Sequence, residues 1–285
     1  MLNKALFFLV LISLAALADA KEKSIETIKL MQVVSGELTS YQNFPSQFIK
    51  PRNIHVWTPD SYSAEKQYDV LYVHDGQNQF DSKTTWNQQE WGIDDVAGEL
   101  INSGKVRPFI VVAIDNGGDL RWQEYMPKKA IDYLDRTRIA QDDGIFQVDY
   151  LADKYLKFLV TELKPFIDSQ YAVNTRAENT FLMGSSMGGL ISMYAVSEYP
   201  EVFAGAACIS THWLGVMPDS TMPMSAALIN YVDHHLPKAA NHSFYFDHGT
   251  VDIDSYYPPL QKQVDQLMKL KGYSQSNWQT QVFEG

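Results

Sequence analysis

Short apolar runs alternate along the chain with stretches in which apolar residues recur every three or four positions. The runs predict strands at 30–38, 53–58, 68–73, 109–114, 181–183, 203–209, 243–247 and 277–283. Helical spacing occurs at 92–103, at about 148–168 and at 190–196. Near-continuous apolar strands that alternate with helices are typical of a mostly parallel sheet with helices on both faces. The pattern therefore predicts an α/β fold.

The first 20 residues differ from the rest of the chain. Lys4 precedes an apolar stretch at 5–17, and Ala18-Asp19-Ala20 has the form of an A-x-A cleavage site. The apolar stretch is too short to favour a membrane span. We therefore predict a secretory signal peptide at 1–20 and a secreted or periplasmic protein without a membrane anchor.

Residues 21–285 contain no repeat, low-complexity tract or convincing linker, so they predict one catalytic domain. Two longer segments, 117–146 and 211–240, read as irregular insertions. In α/β sheets such segments usually lie over the carboxyl ends of the strands, where substrates bind.

Charge and cysteine content narrow the function classes. The net charge of −11 argues against nucleic acid and anionic membrane surfaces as partners. Cys208 is the only cysteine, so no intrachain disulfide can form, and its apolar surroundings predict a buried thiol. The sequence contains no CxxC or HExxH motif, and we expect neither a metal site nor a cofactor.

One stretch carries a recognisable chemical motif. Residues 184–188 have the form G-x-S-x-G, between a predicted strand and a predicted helix. This context is typical of a nucleophile elbow, with Ser186 as the nucleophile and the Met187 N–H as an oxyanion donor. Ser185 is the competing hydroxyl. Gly184 and Gly188 are expected to avoid steric conflict with the neighbouring strand or helix.

A serine nucleophile needs a base and an orienting carboxylate, in the order Ser, acid, His for this kind of fold. The loop after the 243–247 strand offers Asp252 as the acid, with Asp254 as the second choice. The histidine should follow the last predicted strand, so we expect it just past Gly285 and expect the fold to be incomplete there. His74 and His248 lie at strand ends, where structural or substrate-contacting roles are favoured.

Two further sets of residues are expected at the site. Gly76 and Gln77 follow the 68–73 strand, and the Gln77 N–H is our candidate for the second oxyanion donor. Aromatic residues crowd the segments that should border the site, and Trp122 and Trp213 are candidates for substrate contact.

Several of these stretches together resemble the putative-esterase branch of the α/β-hydrolases, which includes esterase D-like, feruloyl and enterochelin esterases. The resemblance rests on residues 74–78 (HDGQN), 91–94 (WGID), 121–125 (RWQEY), 184–189 (GSSMGG) and 210–213 (STHW). It implies an α/β-hydrolase fold, Ser186 as nucleophile, Asp252 as acid, and Gln77 with Met187 at the oxyanion hole. Such proteins continue past a final F-x-G to a histidine, whereas this sequence stops at Phe283-Glu284-Gly285.

The expected function is that of a secreted serine esterase that acts through an acyl-enzyme on a small or carbohydrate-linked acyl ester. One alternative is an acyltransferase of the same fold, similar to mycolyl transferases, in which a sugar hydroxyl replaces water. Another is a non-catalytic binding module on a hydrolase fold that has lost its base. Product analysis with and without a sugar acceptor distinguishes the two enzymes.

Overall fold

The computed structural model of the protein describes residues 27–28, 31–135, 137, 144–218 and 223–285. The expected signal peptide at 1–20 lies outside these residues. Within the part that is described, no helix is both long enough and apolar enough to cross a bilayer.

A nine-stranded sheet organises the described part of the chain, in the spatial order β1-β2-β3-β5-β4-β6-β7-β8-β9. The strands are β1 Thr27–Ile28, β2 Glu37–Phe44, β3 Arg52–Thr58, β4 Asp69–His74, β5 Phe109–Ile114, β6 Thr180–Ser185, β7 Gly205–Ile209, β8 Ser243–His248 and β9 Trp278–Val282. Strands β4 to β9 pair in parallel, while β1, β2 and β3 add an antiparallel edge next to β5. The prediction of a mostly parallel sheet is confirmed.

Helices cover both faces of this sheet. They are α1 Ile93–Asn102, α2 Arg121–Tyr125, α3 Ala152–Phe158, α4 Lys164–Gln170, α5 Met187–Glu198, α6 Met224–His235 and α7 Pro258–Leu270, with a π-helical turn Leu159–Leu163 between α3 and α4. Helix α1 packs on one face in a small apolar cluster with Trp57 and Val111. The larger core on the other face includes buried residues of α3 to α7.

The structure differs from the sequence prediction at the first strand. Residues 31–36 form bends, and the strand begins only at Glu37. Asp94 Oδ2 accepts a hydrogen bond from the Val34 N–H at 2.7 Å, and Gly36 has a φ of 71°. The apolar run is therefore held by a side chain of α1 and a left-handed turn rather than by a strand partner.

The two segments predicted as irregular insertions contain helices. Helix α2 lies in the first and α6 in the second. The buried residues of α6 include Met224, Ala227, Leu228, Tyr231 and Val232, a spacing of three and four that is itself a helical signal. Helix α2 has only five residues, too few for periodicity to reveal.

Candidate active site

Backbone strain is concentrated at the carboxyl ends of the parallel strands. Non-glycine residues with positive φ lie directly after β4, β6 and β7, and in the loop after β8: Asp75 at 58°, Ser186 at 57°, Ser210 at 39° and Asp252 at 50°. Such conformations cost free energy and persist where the surrounding structure fixes them, often at functional sites. The same four segments contain most of the predicted site residues.

Ser186 occupies the sharp turn between β6 and α5, with φ 57° and ψ −119°. A Cβ on Gly184 would lie 2.7 Å from the carbonyl carbon of Gly188, so only glycine fits at position 184. A Cβ on Gly188 would meet nothing closer than Asp75 Oδ2 at 3.4 Å, an ordinary contact. The expected steric conflict is therefore found at Gly184 but not at Gly188.

The backbone of Ser186 is fixed to the end of the next strand. Its N–H donates to the Ile209 carbonyl at 2.9 Å, and its own carbonyl accepts from the His212 N–H at 3.2 Å. Ser185 is still part of the sheet, opposite Ile209 in the parallel register. In the described part of the protein, the half-exposed Ser186 side chain has no hydrogen-bond partner for its Oγ.

The turn after β8 presents two carboxylates, and the structure distinguishes them. Asp254 Oδ2 accepts hydrogen bonds from the Gly249 N–H and from Ser210 Oγ, both at 2.7 Å. Asp252 is exposed, and among the described residues its side chain makes no hydrogen bond. The geometry favours Asp254, the second choice from sequence, over Asp252, because only Asp254 is fixed to the segment that also holds Ser186.

Ser210 connects this turn to β8 and β7. Besides donating its hydroxyl to Asp254, it donates its backbone N–H to Asp247 Oδ1 at 2.9 Å. Desolvation by burial raises the pKa of Asp247, partly offset by the Ser210 N–H. Nothing in the sequence marks Ser210 as a site residue apart from its position in the 210–213 stretch.

The loop after β4 carries the candidate for the second oxyanion donor. Gln77 lies in a short 3-10 turn, Gly76–Asn78, and a Cβ on Gly76 would lie 2.7 Å from the Ile114 backbone nitrogen. Within the described residues, neither the Gln77 N–H nor the Met187 N–H donates to another protein group. Both therefore remain available to a ligand, Met187 at the N-terminus of α5.

The structure describes all seven histidines, and none of their imidazole rings bonds to the side chain of Ser186 or Asp254. His74 Nδ1 pairs with the Tyr155 hydroxyl at 2.7 Å, and burial lowers the pKa of His74 to about 4. His248 Nδ1 lies 2.7 Å from the Gly249 carbonyl oxygen. The others contact Ser40 and Asp115 (His55), Tyr257 (His212), Tyr133 (His235) or backbone carbonyls (His234 and His242). The histidine expected beyond Gly285 remains a prediction.

The two tryptophans proposed for substrate contact have different environments. Trp213 is fully buried, and its indole N–H donates to Gln261 Oε1 at 2.8 Å, so its position does not support substrate contact. Trp122 is partly buried, and its indole N–H donates to the Gly215 carbonyl at 2.9 Å. Among the residues that the structure describes, no group of three or more His, Cys, Asp or Glu side chains could hold a metal ion.

Comparison with known sequences gives a family match over more than half of the chain. The sequence model of the family described as "Putative esterase" matches residues 46–218. The uncharacterized protein YbbA of Bacillus subtilis is 27% identical over 168 residues, which cover 57% of this chain and 58% of that protein. An endo-1,4-beta-xylanase/feruloyl esterase of Xylanibacter ruminicola is 26% identical over 164 residues, 54% of this chain and 19% of that protein. Each matched stretch is less than two thirds of its relative's length.

Solved structures match over more of the chain. A ferulic acid esterase has a TM-score of 0.62 at 20% identity, with 88% of this chain and 91% of that chain covered. An enterobactin esterase of Shigella flexneri has a TM-score of 0.60 at 16% identity, with 90% of this chain and 55% of that chain covered. At these identities the likeness establishes the α/β-hydrolase fold.

Proposed function

The chain belongs to the putative-esterase family, and from this premise we propose that it is a carboxylic-ester hydrolase that acts through an acyl-enzyme on Ser186. The observation that carries the proposal is the strained turn at Ser186, whose half-exposed hydroxyl adjoins the N-terminus of α5. A backbone held in this conformation costs free energy, and a role for the Ser186 hydroxyl accounts for it.

In the proposed reaction, Ser186 Oγ gives its proton to a base and attacks the carbonyl carbon of the ester, and the alcohol then leaves with that proton as the acyl-enzyme forms. The carbonyl oxygen becomes an oxyanion that the Met187 and Gln77 N–H groups stabilise, since both are free to donate. Water then attacks the acyl-enzyme, releases the acid and restores the hydroxyl. Asp254 is the proposed orienting carboxylate, because Gly249 and Ser210 fix one of its oxygens and hold it near the segment that binds Ser186.

The proton of Ser186 must pass to a base, and an imidazole is the ordinary partner of a serine nucleophile. Since none of the seven imidazole rings bonds to Ser186 Oγ, imidazole added to the 285-residue chain should raise the rate of ester hydrolysis. The increase should be absent from Ser186→Ala once the uncatalysed reaction with imidazole is subtracted. If imidazole has no effect on an active chain, one of the seven histidines reaches Ser186 by a movement, and His→Gln variants would identify it.

For the substrate we propose a small or carbohydrate-linked acyl ester. The loop after β4 carries two exposed tryptophans, Trp86 at 88% and Trp91 at 50% exposure. This loop is fixed to the candidate oxyanion turn, because Thr84 Oγ1 donates to the Gln77 carbonyl and the Trp91 N–H donates to the Asn78 carbonyl. Exposed indole rings beside an ester site can stack on a sugar or an aryl acyl group. Feruloyl esterase activity in the names of similar proteins agrees with this substrate class.

An esterase assay with matched serine variants tests the proposal. Wild-type protein, Ser186→Ala and Ser185→Ala are compared on p-nitrophenyl acetate and on methyl ferulate, with and without a sugar acceptor. In assays that contain imidazole as the base, we expect Ser186→Ala to lose activity by at least about 10³-fold and Ser185→Ala to retain most of it. Equal activity of wild type and Ser186→Ala would refute the mechanism, while acyl transfer to the sugar would identify an acyltransferase.

We also propose that the chain is exported, on the basis of Lys4, the apolar stretch and the A-x-A site at 18–20. Expression from its own start codon in a bacterium, followed by N-terminal sequencing of the periplasmic fraction, tests this. Recovery of a protein that begins at Lys21 is expected. Retention of the uncleaved chain in the cytoplasm would contradict export.

A further inference from the structure

The loop that carries Gln77 is organised around one buried carboxylate. Asp75 adopts a left-handed conformation, and only 8% of its side chain is exposed. Asn116 Nδ2 donates to Asp75 Oδ1 at 2.7 Å, and the Asn116 N–H donates to Gln77 Oε1 at 3.2 Å. The Asp75 carboxylate and the Gln77 side chain are therefore held by the same asparagine.

Arg121 engages both oxygens of this carboxylate. Its Nε donates to Asp75 Oδ1 at 2.7 Å, and one terminal nitrogen donates to Oδ2 at 2.8 Å. A two-point contact fixes the plane of the carboxylate as well as its position, which a lysine ammonium cannot do. Arg121 also supplies the positive charge that a buried carboxylate requires.

Helix α2 holds Arg121 in place from the other side. Glu124 forms a buried two-point ion pair with Arg52, at 2.7 and 2.9 Å. The Arg121 guanidinium lies 5.1 Å from the centre of the Tyr125 ring, and the Tyr125 hydroxyl accepts a hydrogen bond from the Asp75 N–H at 3.4 Å. The 121–125 segment thus anchors itself to β3 through Glu124 and holds the Asp75 turn through Arg121 and Tyr125.

The Asp75–Arg121 pair also lies against the nucleophile elbow. Asp75 Oδ2 is 3.4 Å from where a Cβ on Gly188 would be, in the first turn of α5. Without its arginine, this carboxylate would place an uncompensated negative charge beside the site where an oxyanion develops. Loss of Arg121 should therefore both loosen the Gln77 turn and oppose the transition-state charge.

We propose that Arg121 is a positioning residue: it fixes and neutralises Asp75 and thereby holds the Gln77 N–H at the oxyanion site. The inference rests on the proposed esterase function. It predicts that Arg121→Met lowers kcat by about 10²-fold, the usual effect of losing one oxyanion donor, with a much smaller change in KM. Arg121→Lys, which keeps the charge but not the two-point contact, should lose less.

A matched control lies at the opposite end of the same strand. Arg107 pairs with Asp69, the first residue of β4, at 2.8 Å, and its side chain is 72% exposed. Arg107→Met removes an arginine–aspartate ion pair from the other end of β4 without touching the candidate site, so kcat should be unchanged. A double variant, Arg121→Met with Asp75→Asn, removes both charges and should recover part of the lost rate if charge compensation matters.

The experiment compares wild type and these four variants by steady-state hydrolysis of p-nitrophenyl acetate and by amide hydrogen exchange of the peptide that contains Gln77. We expect Arg121→Met to lower kcat and to speed exchange in that peptide, while Arg107→Met does neither. Thermal unfolding of each variant verifies that it is folded. A Ser186-dependent wild-type activity that Arg121→Met leaves unchanged would overturn the inference alone. Absence of Ser186-dependent activity in wild type would overturn the proposed function, and unchanged exchange in Arg121→Met would then overturn the positioning role independently.

Discussion

The two ends of the parallel strands are built in different ways. At the carboxyl ends, the turns after β4, β6 and β7 place Asp75, Ser186 and Ser210 at positive φ without the help of glycine. At the amino ends, the chain returns from α1 and α7 through Gly104 and Gly272, which adopt positive φ at little cost. Among the described residues, no non-glycine residue with positive φ adjoins the amino end of a parallel strand.

The ion pairs of β4 repeat this contrast within a single strand. Asp69 at its start pairs with a largely exposed arginine, whereas Asp75 just past its end is buried against Arg121. An exposed pair contributes about 0–1 kcal/mol, whereas breaking a buried pair leaves an uncompensated charge. The comparison indicates that the carboxyl end is shaped for a site and the amino end for simple chain reversal.

The largest expected effect separates two carboxylates of the same turn. Asp254→Asn should lower kcat/KM by about 10³- to 10⁴-fold, because it removes the charge that orients and stabilises a protonated imidazole. Asp252→Asn changes an exposed side chain two residues away and should alter kcat/KM by less than about threefold. Both variants and wild type are assayed with the same concentration of added imidazole as the base. A large loss in Asp252→Asn alone would restore the original choice of acid.

A pH titration of stability tests the burial of His74 at the carboxyl end of β4. Because burial depresses its pKa from 6.5 to about 4, the unfolded chain binds the proton more tightly than the folded protein between these values. Stability should therefore fall as the pH drops from about 6.5 to 4, by roughly 3 kcal/mol from this group. Urea unfolding of wild type, His74→Gln and the exposed His234→Gln measures it. Only His74→Gln should flatten the pH dependence, and a wild-type slope in that variant would contradict the prediction.

A pair of glycine substitutions separates stability from activity at the two ends. A Cβ at Gly184 would lie 2.7 Å from the Gly188 backbone, and one at Gly205, the first residue of β7, would lie 2.1 Å from the Ser243 carbonyl oxygen. Each Gly→Ala change should cost about 2 kcal/mol of unfolding free energy. Only Gly184→Ala should also lower kcat in the folded fraction, because it displaces Ser186. Chemical denaturation measures the loss of stability, and rates normalised to the concentration of active sites measure kcat. Equal losses of kcat in the two variants would contradict the prediction.

The smallest effect concerns the Ser210 hydroxyl, which bonds to Asp254, the proposed acid. Ser210→Ala removes the hydrogen bond to Asp254 and should lower kcat/KM about tenfold, since a bond to a charged group contributes about 1.5–3 kcal/mol. Ser255→Ala removes a hydroxyl that donates to the Asp252 backbone carbonyl in the same turn, and it should have little effect. An equal decrease of kcat/KM in both variants would show that activity depends on the turn as a whole rather than on the hydrogen bond to Asp254.

Local patterns predicted much of this molecule. The parallel strands follow from apolar runs, and the elbow at Ser186 follows from a five-residue motif. The choice between Asp252 and Asp254 could not be predicted from local sequence. It depends on which carboxylate contacts Ser210, and Ser210 and Asp254 are 44 residues apart in the sequence. Similarly, Arg121 is recognisable as a partner of Asp75 only once α2 is folded against β4, and Trp213 was placed at the site from its sequence neighbourhood although it is buried.

The central claim is that Ser186, in its strained turn, is the nucleophile of an ester hydrolase. Brief exposure to p-nitrophenyl acetate, an acid quench and peptide mapping by mass spectrometry measure this directly. We predict one added acetyl group on Ser186 in wild type, none at that position in Ser186→Ala, and unchanged labelling of Ser186 in Ser185→Ala. Turnover without any acetylated Ser186, or equal release of p-nitrophenol by Ser186→Ala, would contradict the account.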